Sequence, residues 1–308
     1  MNRTRSLAVW SFALVAGWLA ICCIIGVLAV EGALHPQRMQ VYATDEARAQ
    51  TIASKDGATL SLVQITAPDG ARLRAWFLRP ASSNDDAVLL LHGQSDNRAG
   101  ELSNADLLLR RGFAVLLPDA RGHGESGGAI ATYGALETDD LRRWADWLEG
   151  EKSPRCLFGL GDSMGAAQLL ESLRKIPEFC AVVAESSFST FREAAFDRIG
   201  QQFSTGPWLG RTLLRPAVEE GLIYARLRYR VNLAGDSPLT ATRTSHVPVL
   251  LIHGLADANL PPRHSERMKA ARPEIELWEP PSADHCGASS AAPQEYERRV
   301  IGWFEAHS

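Results

Sequence analysis

Cysteine is scarce in this chain, with five in 308 residues, and no two form a C-x-x-C pair or join histidines at zinc-ligand spacing. That pattern excludes a zinc finger and a thioredoxin-type redox motif, so neither a metal nor another cofactor is expected. A basic surplus is also missing: 32 Lys and Arg face 36 Asp and Glu, for a formal net charge of -4. Nothing in that balance draws in a phosphate backbone, and nucleic acid is not an expected partner. Internal repeats and low-complexity runs are absent too. With 45% hydrophobic and 22% charged residues, the chain has material for one large domain and a short extra element.

Charge is missing altogether from residues 7–30. As a helix this stretch reaches about 36 Å, enough to cross a hydrocarbon core of about 30 Å with some tilt. Val27-Leu28-Ala29 offers small residues for leader cleavage, but a leader's apolar run is usually only about 7–15 residues long. Lipoprotein processing at Cys22-Cys23 would need a small residue where Ile21 stands. A retained transmembrane signal anchor over 7–30 is therefore expected. Arg3 and Arg5 precede it and Glu31 follows, so residues 1–6 read as a cytoplasmic tail, with the rest of the chain on the non-cytoplasmic side.

A polar connector, 31–57, separates this helix from a domain over 58–308. The turn signal Pro68-Asp69-Gly70 between β-rich runs at 60–66 and 73–79 predicts an opening hairpin. Strand-like runs at 87–91, 114–117, 156–159, 182–184, 249–252 and 275–278 then alternate with helical patterns at 103–111, 136–148, 168–174, 263–271 and 294–306. Such alternation predicts an α/β fold, a mostly parallel sheet with helices on both faces. Reactive groups in these sheets gather at the carboxyl ends of the strands. The rhythm breaks over 188–246, too long a stretch to be structureless without a function. Its apolar residues and arginines predict short amphipathic helices forming a cap, with Trp208, Leu213, Leu214 and Tyr224 as walls of an acyl pocket.

Gly161-Asp162-Ser163-Met164-Gly165 stands between a strand-like run and a helical pattern, the context that gives G-x-S-x-G its chemical meaning. A serine on that turn exposes its hydroxyl at the tip of the sheet, but it needs a base, and the base needs an acid to fix its tautomer. Asp257 follows the strand-like run 249–252, and His285 follows the run 275–278. Nucleophile, acid and base thus come in the order Ser163, Asp257, His285, with Glu185 as the rival acid at the end of the strand before the cap. Two N–H donors must meet the oxyanion; the Met164 backbone supplies one and Gln94, after the first parallel strand, the other. His92 and His253 stand at strand ends before glycine and read as structural, His123 as a loop residue and His264 as helical. Cys156 and Cys180 each precede a strand and form either a disulfide or two buried thiols. Cys286 reads as packing beside His285.

Taken together, His92-Gly93-Gln94, the run Pro118-Asp119-Ala120-Arg121-Gly122-His123-Gly124-Glu125-Ser126, the serine turn, the Asp257 loop and His285 resemble the α/β-hydrolase superfamily. The similarity covers 58–308 and is greatest to its serine aminopeptidase-like and membrane-anchored esterase-like branches. The resemblance implies a Ser–Asp–His triad with an oxyanion hole, acting on an ester, thioester or amide of a small-molecule or acyl substrate. Acyl transfer on the same triad and a non-catalytic binding module are the other functions the fold hosts. A lone His-Gly replaces the HGGG form of many lipases, and Asp284 stands where the family's loops place a glycine.

Overall fold

Runs such as Ala87–Leu91 and Ala114–Pro118 are apolar at every position and buried throughout, as strands covered on both faces must be. The computed structural model describes the backbone from Asn2 to Ser308 and the side chains of Leu7 and residues 9–308. Arg3 and Arg5, which carry the expectation of orientation, lie outside the described side chains. Two units divide the chain: Met1–Leu34 with Phe191–Gly235, and His35–Thr190 with Asp236–Ser308.

In chain order the elements are α1 (Asn2–Leu34), α2 (Ala43–Lys55), β1 (Thr59–Thr66), β2 (Arg72–Arg79), β3 (Ala87–Leu91), α3 (Leu102–Leu109) and β4 (Ala114–Pro118). Next come α4 (Glu137–Lys152), β5 (Leu157–Asp162), α5 (Met164–Ser172), β6 (Phe179–Glu185), α6 (Phe191–Gln202), α7 (Trp208–Arg211) and α8 (Arg215–Tyr229). The chain closes with α9 (Pro238–Thr244), β7 (Val249–Ile252), α10 (Arg263–Ala271), β8 (Glu276–Trp278), α11 (Ala288–Ala291) and α12 (Pro293–Glu305).

The larger unit holds one sheet of eight strands in the order β1-β2-β4-β3-β5-β6-β7-β8. The β1–β2 hairpin is antiparallel, β2 pairs antiparallel with β4, and every later pair is parallel. Alternate residues of each strand enter opposite cores. Val88, Leu90, Phe158 and Val183 meet α2, α3 and α12 on one face. Leu89, Leu91, Val182 and Leu251 meet α4, α5 and α10 on the other. The helix α2 lies within the segment read as a polar connector, where Ala49 and Ala53 bury one side of an otherwise polar helix. A disulfide joins Cys156 and Cys180, just before Phe158 and Ala181 pair between β5 and β6.

The chain leaves β3 for β4 on one side and then crosses to β5 on the other. Loops that diverge in this way open a crevice at the carboxyl ends of the strands. Those are the ends of β3 and β5 that carry His92–Gln94 and Ser163.

The smaller unit contains α1, α6, α7 and α8. A stripe of α1 with i, i+4 spacing, Cys22, Gly26, Val30 and Leu34, is buried. At the α1–α8 crossing the backbones nearly touch: a Cβ on Gly26 would stand 2.2 Å from the Ala217 carbonyl oxygen. One on Gly221 would stand 2.8 Å from that of Gly26, so neither position admits a side chain. Farther along, Glu31 accepts hydrogen bonds from the Tyr224 and Tyr229 hydroxyls at 2.6 and 2.7 Å. Leu214 packs with Cys22, Ala217 and Trp18. Within this unit α1 engages Leu214 and Tyr224, while Trp208 and Leu213 are exposed.

Candidate active site

Ser163 joins β5 to α5 with φ 52° and ψ -109°, a conformation that side chains rarely adopt. Close packing enforces it. A Cβ on Gly161 would lie 2.8 Å from the Gly165 carbonyl carbon, and one on Gly165 would lie 2.3 Å from the Leu91 oxygen. The two glycines let the turn settle onto the end of β3, and the Ser163 N–H bonds to the Glu185 oxygen at 2.8 Å. Strain of this kind costs about 1–3 kcal/mol and persists only where the surroundings hold it.

The structure brings Ser163, His285 and Asp257 together. His285 Nε2 lies 2.9 Å from Ser163 Oγ, and its Nδ1 lies 2.8 Å from Asp257 Oδ2. When Nδ1–H donates to the carboxylate, Nε2 is left as the acceptor for the hydroxyl proton. The other Asp257 oxygen accepts the backbone N–H groups of Asn259 and Leu260 at 2.9 and 2.8 Å. Burial alone would raise the Asp257 pKa. Hydrogen bonds from His253, His285 and Leu260 outweigh it and hold the carboxyl well below the usual range, as a carboxylate.

Neighbouring backbone fixes the loops that carry the acid and the base. Leu255 N–H donates to the Pro280 oxygen and Ala256 N–H to that of Ala283, tying the two loops together. Cys286 N–H donates to Ser186 Oγ at 3.1 Å, and Ala288 N–H donates to Glu185 Oε1 at 2.9 Å. Glu185 thus secures the His285 loop, while Asp257 takes the position against the imidazole. The left-handed residue of that loop is Cys286, at φ 52°; Asp284 has no positive φ, so its place does not require glycine. His253 is buried between Ser265 Oγ and the Leu260 oxygen, 2.7 Å from each, and braces the turn that follows Asp257. The sequence hinted at this only through its strand-end histidine.

Met164 follows the serine directly, and Gln94 follows Gly93 at the end of β3. Met164 opens α5, so its N–H has no acceptor within the helix. Gly93 runs close to the nucleophile, since a Cβ there would stand 3.6 Å from Ser163 Cβ. This loop is braced from the β4 side: His92 Nε2 accepts the Ala120 N–H at 3.0 Å. Asp119 accepts Arg98 through both its backbone and guanidinium, and the Glu125 N–H as well. Arg121 makes a bidentate pair with Asp140 at 2.7 and 2.9 Å. The run from Pro118 to Ser126 is thus a scaffold for the first loop. Among the described residues, no group of three or more His, Cys, Asp or Glu gathers as a metal site.

Comparison with known proteins gives this geometry a context. A model of the alpha/beta hydrolase family matches residues 88–299. YqkD of Bacillus subtilis is 29% identical over 205 residues, 65% of this chain and 64% of its own length. YfhR of Escherichia coli is 28% identical over 235 residues, 74% of each chain. The solved structure of the Pyrococcus furiosus esterase Pf2001 superposes with a TM-score of 0.68 at 25% identity. That alignment covers 89% of this chain and 98% of the esterase.

Proposed function

Because the chain belongs to the alpha/beta hydrolase family, we propose that it is a serine hydrolase working through an acyl-enzyme on Ser163. One observation carries the reading: His285 stands between Ser163 Oγ and the Asp257 carboxylate, within hydrogen-bond reach of both. In this mechanism His285 Nε2 takes the hydroxyl proton as Oγ attacks the substrate carbonyl. Asp257 steadies the imidazolium that forms, and the Met164 and Gln94 N–H groups receive the oxyanion. His285 then passes the proton to the leaving group. Water repeats the sequence, with His285 as base, and frees Ser163. An ester is the favoured bond, with thioesters and amides open to the same chemistry; that Pf2001 is an esterase supports this choice.

The stretch Val9–Leu34 is long and apolar enough to cross a membrane. We read α1 as a retained single-pass anchor, with the catalytic domain on the non-cytoplasmic side and residues 188–246 as its cap. Close packing of Gly26 on α8 supports retention of the helix, and the Cys156–Cys180 disulfide supports an oxidising compartment. A fluorophosphonate probe tests the chemistry: it should label wild-type protein at Ser163 and leave Ser163→Ala unlabelled. Labelling that survives the substitution removes the assignment. A panel of p-nitrophenyl esters of increasing chain length, beside aminoacyl nitroanilides, then identifies bond and acyl group.

A further inference from the structure

The helix α1 changes character along its length. From Leu7 to Gly17 every described side chain is exposed, whereas from Trp18 onward one side is packed on α8 and its neighbours. The bare part measures about 16 Å, roughly half of a hydrocarbon core of about 30 Å. A bilayer around it must therefore also meet the packed part. That part is only half covered, because Ile24 and Leu28 are exposed on the side away from α8.

What the helices beside α1 turn outward matches such a surrounding. Leu227 is 78% exposed, Trp208 64% and Leu213 55%, and Phe203 and Ile223 are exposed with them. Ile223 and Leu227 are four residues apart, hence on one face of α8. Five large apolar side chains bare on α7, α8 and the turns before them are more than a water-facing surface ordinarily shows. Several charges among the same helices are ion-paired, Arg211 with Glu193 and both Arg192 and Arg215 with Glu219. Arg226 and Arg228 flank Leu227 with stems that can lie along apolar surface while their heads reach phosphate. Contacts of Cys22 with Ala217, Gly26 with Gly221, and Glu31 with Tyr224 show that α1 and α8 run in the same direction.

We infer that the outward face of α7 and α8 is a membrane-docking surface, immersed in the interface of the leaflet from which α1 emerges. Leu213 and Trp208 form its deeper end and Leu227 its shallower end. This rests on α1 being a retained membrane helix. The occupant of the face is lipid, because α8 packs directly on α1, the helix whose bare part a bilayer must surround.

The test uses full-length protein in phosphatidylcholine vesicles containing a minority of phosphatidylglycerol. Cys22, Cys23 and Cys286 are replaced by serine, and an environment-sensitive nitrobenzoxadiazole label is attached at Leu213→Cys, Leu227→Cys or Phe203→Cys. A label at Leu62→Cys on β1 serves as the aqueous control. Labels at 203, 213 and 227 should emit to the blue of the control and be quenched several-fold more by doxyl-lipids than by iodide, with 213 favouring deeper doxyl positions than 227. Labels matching the control, in protein that alkaline carbonate fails to extract, overturn the docking surface alone. Extraction by carbonate overturns the anchor and the docking together. Blue-shifted labels insensitive to doxyl-lipid would put a second copy of the chain on this face and overturn the lipid assignment. Position 203 lies outside α8, so the result does not depend on one helix tolerating substitution.

Discussion

The two units of the chain are held by different means. In the larger, parallel strands bury alternate residues in two cores, and loops at their carboxyl ends are tied to one another by backbone hydrogen bonds around Ser163, Asp257 and His285. In the smaller, a helix from the N-terminus meets a helix from the middle of the chain through glycine backbones, two tyrosines and a shared carboxylate. Polar groups are organised in the first and apolar ones left outward in the second. Chemistry demands geometry fixed to fractions of an ångström, which sheet and loop ties provide, whereas helices laid on α1 need only a shared face.

The largest expected effects fall on the site. Ser163→Ala should lower turnover on the order of a million-fold, and Asp257→Asn on the order of ten thousand-fold, both with unchanged circular dichroism. Near-normal turnover in Asp257→Asn would make Glu185 the working acid. Next is the disulfide of the larger unit. Its partners are 24 residues apart, so Cys156→Ser with Cys180→Ser should remove about 3 kcal/mol, read by denaturant titration. A smaller effect is expected in the other unit. Gly221→Val forces a side chain into the Gly26 backbone and should weaken the helix pair by about 1–3 kcal/mol. Hydrogen exchange should then quicken about tenfold or more in α8 and stay unchanged in β5 and β6. Equal acceleration in both units would mean that they unfold as one.

A pH slope is also expected of the larger unit. Burial raises Glu101 to about 8 and Glu185 to about 7, and nearby carboxylates add to the rise. In the unfolded chain both titrate near 4.3. The folded protein therefore holds more protons than the unfolded one above that pH. The stability these groups contribute is full below about pH 4.3 and is lost as pH rises through 7 to 8. The melting temperature should fall between pH 5 and 8, and Glu185→Gln should flatten part of that fall. A slope identical in wild type and Glu185→Gln would assign the titration to other groups.

Much of the sheet and the order of Ser163, Asp257 and His285 were legible because local patterns announce them: apolar runs for covered strands, glycines around a tight turn, polar residues just past strand ends. Less visible were features set by packing at a distance. The helix α2 buries little beyond two alanines on one side and so carries almost no periodic signal. That Glu185 secures the His285 loop while Asp257 meets the imidazole depends on loop paths that no spacing encodes. The apolar character of α1 runs all the way round, which conceals the stripe that faces α8.

That stripe also sets an order of events during synthesis. Tyr224 follows Glu31 by 193 residues, so at 5–20 residues per second the ribosome needs about 10–40 s to deliver the partner of the first helix. Throughout that interval α1 presents Gly26 and its neighbours as an empty seat, open to another emerging chain. The glycines suit such a wait, because a surface without side chains offers little for a wrong partner to grip until the right backbone arrives.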